Sequence, residues 1–169
     1  RVVEIAKKHG KILIADPKGL DYSKYSGVTL ITPNRKEAAL AAGVEITNNS
    51  SLMEAGAKII NRAGIERLLV TCGKDGMVLF ERDKKPYKIR AEARQVFDVS
   101  GAGDTVIAVL GLCLASGSSF RAAASVANIA AGIVVGKVGT ATVSEKELIA
   151  VLMPRSTPLS VNSRKKKRK

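Results

Sequence analysis

The densest chemistry in the chain lies in one short run, Asp98-Val99-Ser100-Gly101-Ala102-Gly103-Asp104. Two glycines flank one alanine, a carboxylate follows at once, and an apolar stretch then continues to about Ser116. This pattern predicts a helix that opens at Gly101. The N–H groups of a first helical turn have no partner within the helix and point outward, and the helix dipole adds partial positive charge there. With no side chains at 101 and 103, an anion such as a migrating phosphoryl group can approach those N–H groups closely. Asp104 then stands beside the anion, placed to orient an acceptor hydroxyl and take its proton. Phosphoryl transfer passes through a loose transition state that rewards positioning and charge stabilisation over strong base catalysis. The same residues also make an ordinary helix cap, because an Asp in the first turn after Ser-Gly is common. Spacing alone leaves both readings standing. It does exclude two phosphate motifs: Val106 occupies the place of the third glycine of a dinucleotide fingerprint, and no Gly-Lys-Ser/Thr follows to form a P-loop.

Something must hold that turn in place, and the flanking sequence shows what. Lys11–Ala15, Val28–Ile31 and Arg67–Cys72 read as short buried strands. Helices at 2–9, 35–42, 52–63, 101–116, 119–137 and after Ser144 alternate with them, stopped by Gly10, Gly43 and Gly64 where a left-handed residue can end a helix. Ser50 and Ser51 are the expected caps of the 52–63 helix, and Ser118 or Ser119 that of the helix at 119. Gly73-Lys74-Asp75-Gly76 turns the third strand into Met77–Glu81, and Asp83–Pro86 turns again into Tyr87–Ala91. Val96-Phe97-Asp98 reads as short and extended. Strands alternating with helices predict an α/β layered domain, its sheet mostly parallel, with the Met77–Glu81 and Tyr87–Ala91 hairpin adding antiparallel strands at one edge. The chain opens inside a helix, which suggests that an earlier part of a longer domain precedes it and that apolar surface is exposed there.

Composition narrows the function classes. At 169 residues with 46% hydrophobic and 25% charged side chains, the chain suits a globular domain with a core of Ala, Val, Ile and Leu. Its longest apolar helix, 105–115, falls short of the roughly 18 residues of a membrane span, and Arg1–Gly10 lacks a signal-peptide layout. Cys72 and Cys113 sit in apolar segments and read as small core hydrophobes of a reducing compartment, so the expected location is the cytoplasm. One His and two Cys cannot build a spaced zinc cluster. The net charge is +13, and Arg164–Lys169 supplies six of the basic residues. Such a block reads as a solvated tail, so residues 154–169 are expected to be a disordered basic tail or linker after a domain at 1–153. Nucleic-acid binding through that tail lacks interleaved aromatics or a reading motif.

Taken together, Asp98–Asp104 resembles the C-terminal signature of the ribokinase-like, or phosphofructokinase-B, sugar kinases. The resemblance implies a ribokinase-like three-layer sandwich, present as its C-terminal portion. It also implies that Gly101, Ala102 and Gly103 form the anion hole and that Asp104 is the catalytic base. Val109 departs from the pattern, which usually has Ala or Gly there. Further segments resemble the same family in order. In Thr32-Pro33-Asn34-Arg35-Lys36-Glu37 the resemblance places Asn34 near the nucleotide phosphates. It gives Glu37 to magnesium, largely through water, in keeping with a cation that takes few direct protein ligands. Thr71, Gly73 and Gly76 would lie beside ATP, Asn128 would line the adenine pocket, and Lys18 would approach a phosphate. Asp98, with Ser100, matches a region that binds a monovalent cation, K⁺, in some relatives. Read without the resemblance, Glu37 is a carboxylate near a helix N-terminus, Gly73–Gly76 a hairpin turn, Lys18 a surface lysine and Asn128 a polar residue of helix packing.

Finer matches at Ala15–Gly19, Leu30–Asn34, Asp104–Ile107, Val134–Thr140 and Thr142–Ser144 resemble the branch that phosphorylates D-glycero-D-manno-heptose 7-phosphate. The product there is the 1,7-bisphosphate, a precursor of ADP-heptose and lipopolysaccharide. The implied partners are ATP, Mg²⁺ and a sugar phosphate, and a homodimer of the full-length protein is compatible with it. The family's lid and most sugar contacts would lie outside this chain, so full activity is not expected of it alone. A nucleotide-binding module without catalysis, or another ribokinase-like carbohydrate kinase, is the competing expectation.

Overall fold

The computed structural model describes residues 1–91 and 97–153. The expected extended segment at Val96 and the basic tail at 154–169 lie outside the described residues. Six helices, α1 (Val2–Lys8), α2 (Arg35–Ala42), α3 (Asn49–Ala63), α4 (Ala102–Ala115), α5 (Phe120–Val135) and α6 (Glu145–Leu152), surround one sheet. Its strands are β1 (Ile14–Ala15), β2 (Leu30–Ile31), β3 (Arg67–Thr71), β4 (Met77–Glu81) and β5 (Tyr87–Ile89), and they lie side by side in sequence order.

The pairing explains why the strands read as continuous apolar runs. β1, β2 and β3 are parallel, with Ala15 beside Ile31 and Ile31 beside Leu68. β4 runs antiparallel to β3, and β5 antiparallel to β4. Successive side chains of a strand point to opposite faces, so both faces of this sheet must be apolar. Ile31, Leu68, Val70, Val78 and Phe80 pack on one face with Leu52, Ala55, Ile59 and Ala63 of α3 and Ala38 and Ala42 of α2. Leu30, Leu69, Met77 and Leu79 pack on the other with Val106, Leu110 and Leu114 of α4 and Ala123, Ala124 and Ala127 of α5. This is the three-layer α/β arrangement expected from the alternation of elements. Small residues bring the layers close: a Cβ at Gly56 of α3 would overlap the ring of Phe80.

Local chemistry fixes the element ends. Gly43 and Gly64 close α2 and α3 in the left-handed conformation, as the sequence implies. The cap of α3 differs from expectation. Asn48, in extended conformation, caps the helix and its Oδ1 accepts from the Ser51 N–H at 3.0 Å. Ser51 returns the bond as the third helical residue, its Oγ accepting from the Asn48 N–H at 3.1 Å, so the helix begins at Asn49. The strands at the parallel edge are shorter than the apolar runs that encode them. In β1 the Leu13 N–H is taken by the Thr29 hydroxyl at 3.1 Å, and the ladder begins only at Ile14. Cys72 is buried, Cys113 is half-buried and both are free thiols. Val2, Ile5 and Ile12 are exposed. No helix among the described residues is long and apolar enough to cross a membrane.

Candidate active site

The strand directions bring the singled-out residues to one edge. β5 is antiparallel to β4 and so runs with β1, β2 and β3; the carboxyl ends of those four strands therefore share an edge. Asp16-Pro17-Lys18 follows β1, Thr32-Pro33-Asn34 follows β2, Cys72–Gly76 follows β3 and Arg90 follows β5. In parallel α/β sheets ligands bind beyond the carboxyl ends of the strands.

The opening turn of α4 is delivered to the same edge by α5. Phe120, at the start of α5, lies under the Arg67 guanidinium at 3.9 Å, at the opposite end of β3. Eight residues along, Asn128 donates to the Arg90 carbonyl at 2.7 Å, at the carboxyl end of β5. The helix thus climbs toward the carboxyl edge. At its far end the Val135 carbonyl accepts from the N–H groups of Phe97 (2.8 Å) and Asp98 (3.3 Å), which hold the segment leading into α4.

Gly101 caps α4 with φ 77°, a conformation that favours glycine. A Cβ there would also meet the Thr140 methyl at 3.4 Å. Gly103 has neither reason to be glycine: its φ is not in the left-handed region, and a Cβ would meet no described atom within 4 Å. It faces open space. The Ala102 N–H reaches the Val99 carbonyl at 3.2 Å, and the Thr105 N–H and hydroxyl both reach the Gly101 carbonyl, at 2.9 and 3.0 Å. Among the described residues no acceptor is recorded for the N–H groups of Gly103 and Asp104, nor any partner for the Asp104 carboxylate, and both residues are exposed. Sequence, turn and helix direction together place two free backbone donors and one carboxylate at the mouth of the sheet.

Asn34 and Glu37 are tied to one another. Asn34 caps α2 through its Oδ1, which accepts from the Glu37 N–H at 2.9 Å, while Glu37 Oε2 accepts from the Asn34 N–H at 2.8 Å. Glu37 Oε1 faces the Lys18 ammonium at 3.4 Å, which also pairs with Asp16 at 2.8 Å. The bond to Asp16, chiefly, raises the Lys18 pKa, and Glu37 adds to it. Near this group the Tyr22 hydroxyl is buried without a partner among the described residues, and its pKa is pushed up by burial and by Glu37, Tyr25 and Asp16. Thr71 is tied to the same edge by its N–H, which donates to the Pro33 carbonyl at 3.0 Å.

Two of the singled-out residues have structural tasks. Gly76 is buried with φ 86°, and a Cβ there would collide with the Ile89 carbonyl of β5, so the hairpin itself requires this glycine. Gly73 of the same turn is exposed with open space before it. Asn128 is buried, and its bond to Arg90 fastens α5 to the sheet. Asp98 Oδ1 accepts from the Ser100 N–H at 2.8 Å, and that bond above all holds its carboxyl below the usual range, with help from the Gly139 and Val99 N–H groups.

Sequence reasoning did not single out Asp16, Arg35, Asp75 or Tyr22. Asp16 carried a readable signal, a carboxylate immediately after a buried strand. The others depend on partners distant in the chain. A cavity of about 330 Å³ among the described residues, between Leu20–Ser23 and Ile59, Arg62 and Ala63, is lined by none of the singled-out residues.

Comparison with known proteins gives the family and the fold. The chain is 61% identical over 151 residues to the bifunctional protein HldE of Desulfatibacillum aliphaticivorans, covering 89% of this chain and 31% of that protein. It is 51% identical over 148 residues to the HldE of Geobacter metallireducens, covering 88% and 30%. The chain therefore spans about a third of the curated relatives it matches. Among solved structures it superposes on Arabidopsis thaliana ribokinase complexed with ribose and ATP with TM-score 0.81 at 26% identity, covering 90% of this chain and 51% of that one. Escherichia coli phosphofructokinase-2 in complex with potassium shares the fold with TM-score 0.76 at 22% identity, covering 87% and 48%. The model of the pfkB family carbohydrate kinases matches residues 1–147, and the chain belongs to that family of sugar kinases.

Proposed function

We propose that this chain carries the ATP-binding and phosphoryl-transfer machinery of a heptose 7-phosphate kinase. The observation that carries the reading is the start of α4. Free N–H groups at Gly103 and Asp104 and an exposed Asp104 carboxylate meet at the edge formed by the carboxyl ends of the sheet's parallel strands. In this reading Asp104 accepts the proton of the sugar's anomeric hydroxyl as its oxygen attacks the γ-phosphorus of ATP. The bond from that phosphorus to the bridging oxygen of ADP breaks, and ADP leaves. The free N–H groups of Gly103 and Asp104 face the charge spread over the equatorial oxygens, where preorganised donors act most strongly; the Ala102 N–H, bonded to the Val99 carbonyl, is not among them. The acceptor assignment rests on the identity to the HldE relatives and on the segments at Ala15–Gly19 and Leu30–Asn34.

The donors present suit a hydrated magnesium ion. No cluster of three or more metal-ligating side chains occurs among the described residues, and Mg²⁺ bound to a nucleotide keeps several waters and takes few protein ligands. Glu37 and Asp16 would hold such an ion through water, with Lys18 released to a phosphate oxygen. When bound, the ion would neutralise charge on the phosphates. Asn34 keeps its amide N–H₂ for a phosphate while its Oδ1 caps α2. Asp98, held ionised, is suited to a monovalent cation beside the anion hole.

Asp104→Asn in the intact protein tests the central role. The expected result is a kcat lower by about 10²-fold or more, the usual share of general base catalysis, with Mg-ATP affinity unchanged. An unaltered kcat would refute the assignment. Mg-ATP binding without phosphorylation of any sugar phosphate by the parent protein would favour a binding module instead.

A further inference from the structure

Arg35 is the first residue of α2, between Asn34 and Glu37, and the nucleotide reading gives it no task. Its Nη2 pairs with the Asp75 carboxylate at 2.8 Å across a gap of 40 residues. Asp75 belongs to the turn after β3, which is otherwise closed on itself. The Cys72 N–H reaches the Gly76 carbonyl (2.7 Å), the Asp75 N–H the Cys72 carbonyl (3.2 Å) and the Gly76 N–H the Gly73 carbonyl (3.0 Å). Among the described residues this ion pair, together with the approach of the same guanidinium to the Cys72 thiol, joins that turn to α2 through side chains. It lies next to the backbone bridge between Asn34 and Thr71.

Stability does not account for the pair. Both side chains are partly open to solvent, at 38% and 52% exposure, and exposed ion pairs contribute little. Among the described residues the buried Arg35 Nε–H has no oxygen or nitrogen acceptor, and the guanidinium otherwise meets only the Cys72 thiol, a weak acceptor; an under-satisfied buried donor costs at least as much as such a pair returns. Holding the guanidinium in this place therefore serves geometry. We infer that Arg35 is a positioning residue for the nucleotide, latching the Gly73–Asp75 turn to the first turn of α2 so that two edges of one phosphate path keep a fixed separation. The inference rests on the nucleotide reading above and names a residue that acts through Asp75 without touching the ligand.

The sign of one substitution separates the latch from plain electrostatics. Asp75→Asn removes a negative charge close to the proposed polyphosphate site, which by Coulomb's law alone tightens ATP binding. The latch demands that it weaken binding. We would measure dissociation constants of Mg-ATP, Mg-ADP and adenosine by calorimetry for the parent, Arg35→Gln, Asp75→Asn and the double variant, with thermal unfolding alongside. The expected result is a loss of about five- to tenfold for ATP and ADP in each single variant, with no further loss in the double, as partners in one interaction show. Adenosine affinity and the unfolding temperature should stay at parental values. Tighter or unchanged ATP binding by Asp75→Asn, additive losses, or an equal loss for adenosine would overturn the latch. A parent protein that binds none of the three would overturn the nucleotide reading and the latch with it.

Discussion

Gly103→Ala sets stability and turnover against each other. The backbone at 103 is helical, and a Cβ would meet no described atom within 4 Å, so the alanine enters without strain. Replacing glycine at a compatible helical position reduces the freedom of the unfolded chain and stabilises by about 0.5–1 kcal/mol. For a domain of this size that raises the unfolding temperature by roughly 1–4 °C. The same methyl would occupy the space before the free N–H groups of Gly103 and Asp104, where the transferring phosphoryl group is proposed to sit. Losing one donor of a comparable anion hole lowers kcat by about 10²- to 10³-fold. Calorimetric unfolding and ADP release at saturating Mg-ATP and sugar phosphate would read the two effects on one preparation. Gly101→Ala is the contrast: at φ 77° and against Thr140 it should destabilise by about 1–2 kcal/mol. A Gly103→Ala protein with parental kcat would refute the reasoning, because nothing would then need the empty space in front of α4.

Three further outcomes follow from packing and charge. Gly56→Ala should destabilise by about 1–3 kcal/mol, since the methyl overlaps the Phe80 ring in a filled layer, and thermal unfolding would show it. Asn128→Ala should cost about 1–2 kcal/mol by leaving the Arg90 carbonyl without its donor, measured by urea unfolding. Glu147, bonded to Lys137 and to the Ser144 hydroxyl and N–H, has its pKa lowered from an ordinary 4.5 to about 2. A depressed carboxyl stabilises the fold above its unfolded value, and that contribution fades as pH falls from about 4.5 toward 2. Lys137→Met should therefore lower stability at pH 7 and flatten the loss between pH 5 and 2, with the Glu147 titration shifting upward in NMR.

Elements with a strong local signal were readable. Arg67–Thr71 and Met77–Glu81 carry the apolar runs Leu68–Val70 and Met77–Phe80 with a glycine turn between them, and they form the antiparallel pair the sequence implies. The start of α4 is written in its two glycines, and Gly43 and Gly64 end their helices as expected. What stayed hidden depends on residues that meet only after folding. Asn34 reads as one side chain near a phosphate, yet its Oδ1 is committed to the Glu37 N–H, because a capping box uses both partners at once. Arg35 finds Asp75 and Asn128 finds Arg90 over gaps of 40 and 38 residues, distances that no local periodicity reports. Tyr22 offered no sign that its ring would be buried among α2 and α3, since that position is set by the 3-10 turn at Ser23–Tyr25.

The strands of this sheet sit beside their sequence neighbours from first to last. Among the described strands, each one after the first therefore docks on the edge its predecessor supplies, and none has to be inserted between two earlier ones. Closing each loop costs little more as loops lengthen. This part of the chain can thus lay down its strands progressively during synthesis, with α4 and α5 arriving only after β1 to β5, which they cover, have been made. The phosphate-facing turn of α4 is then assembled late, on finished ground.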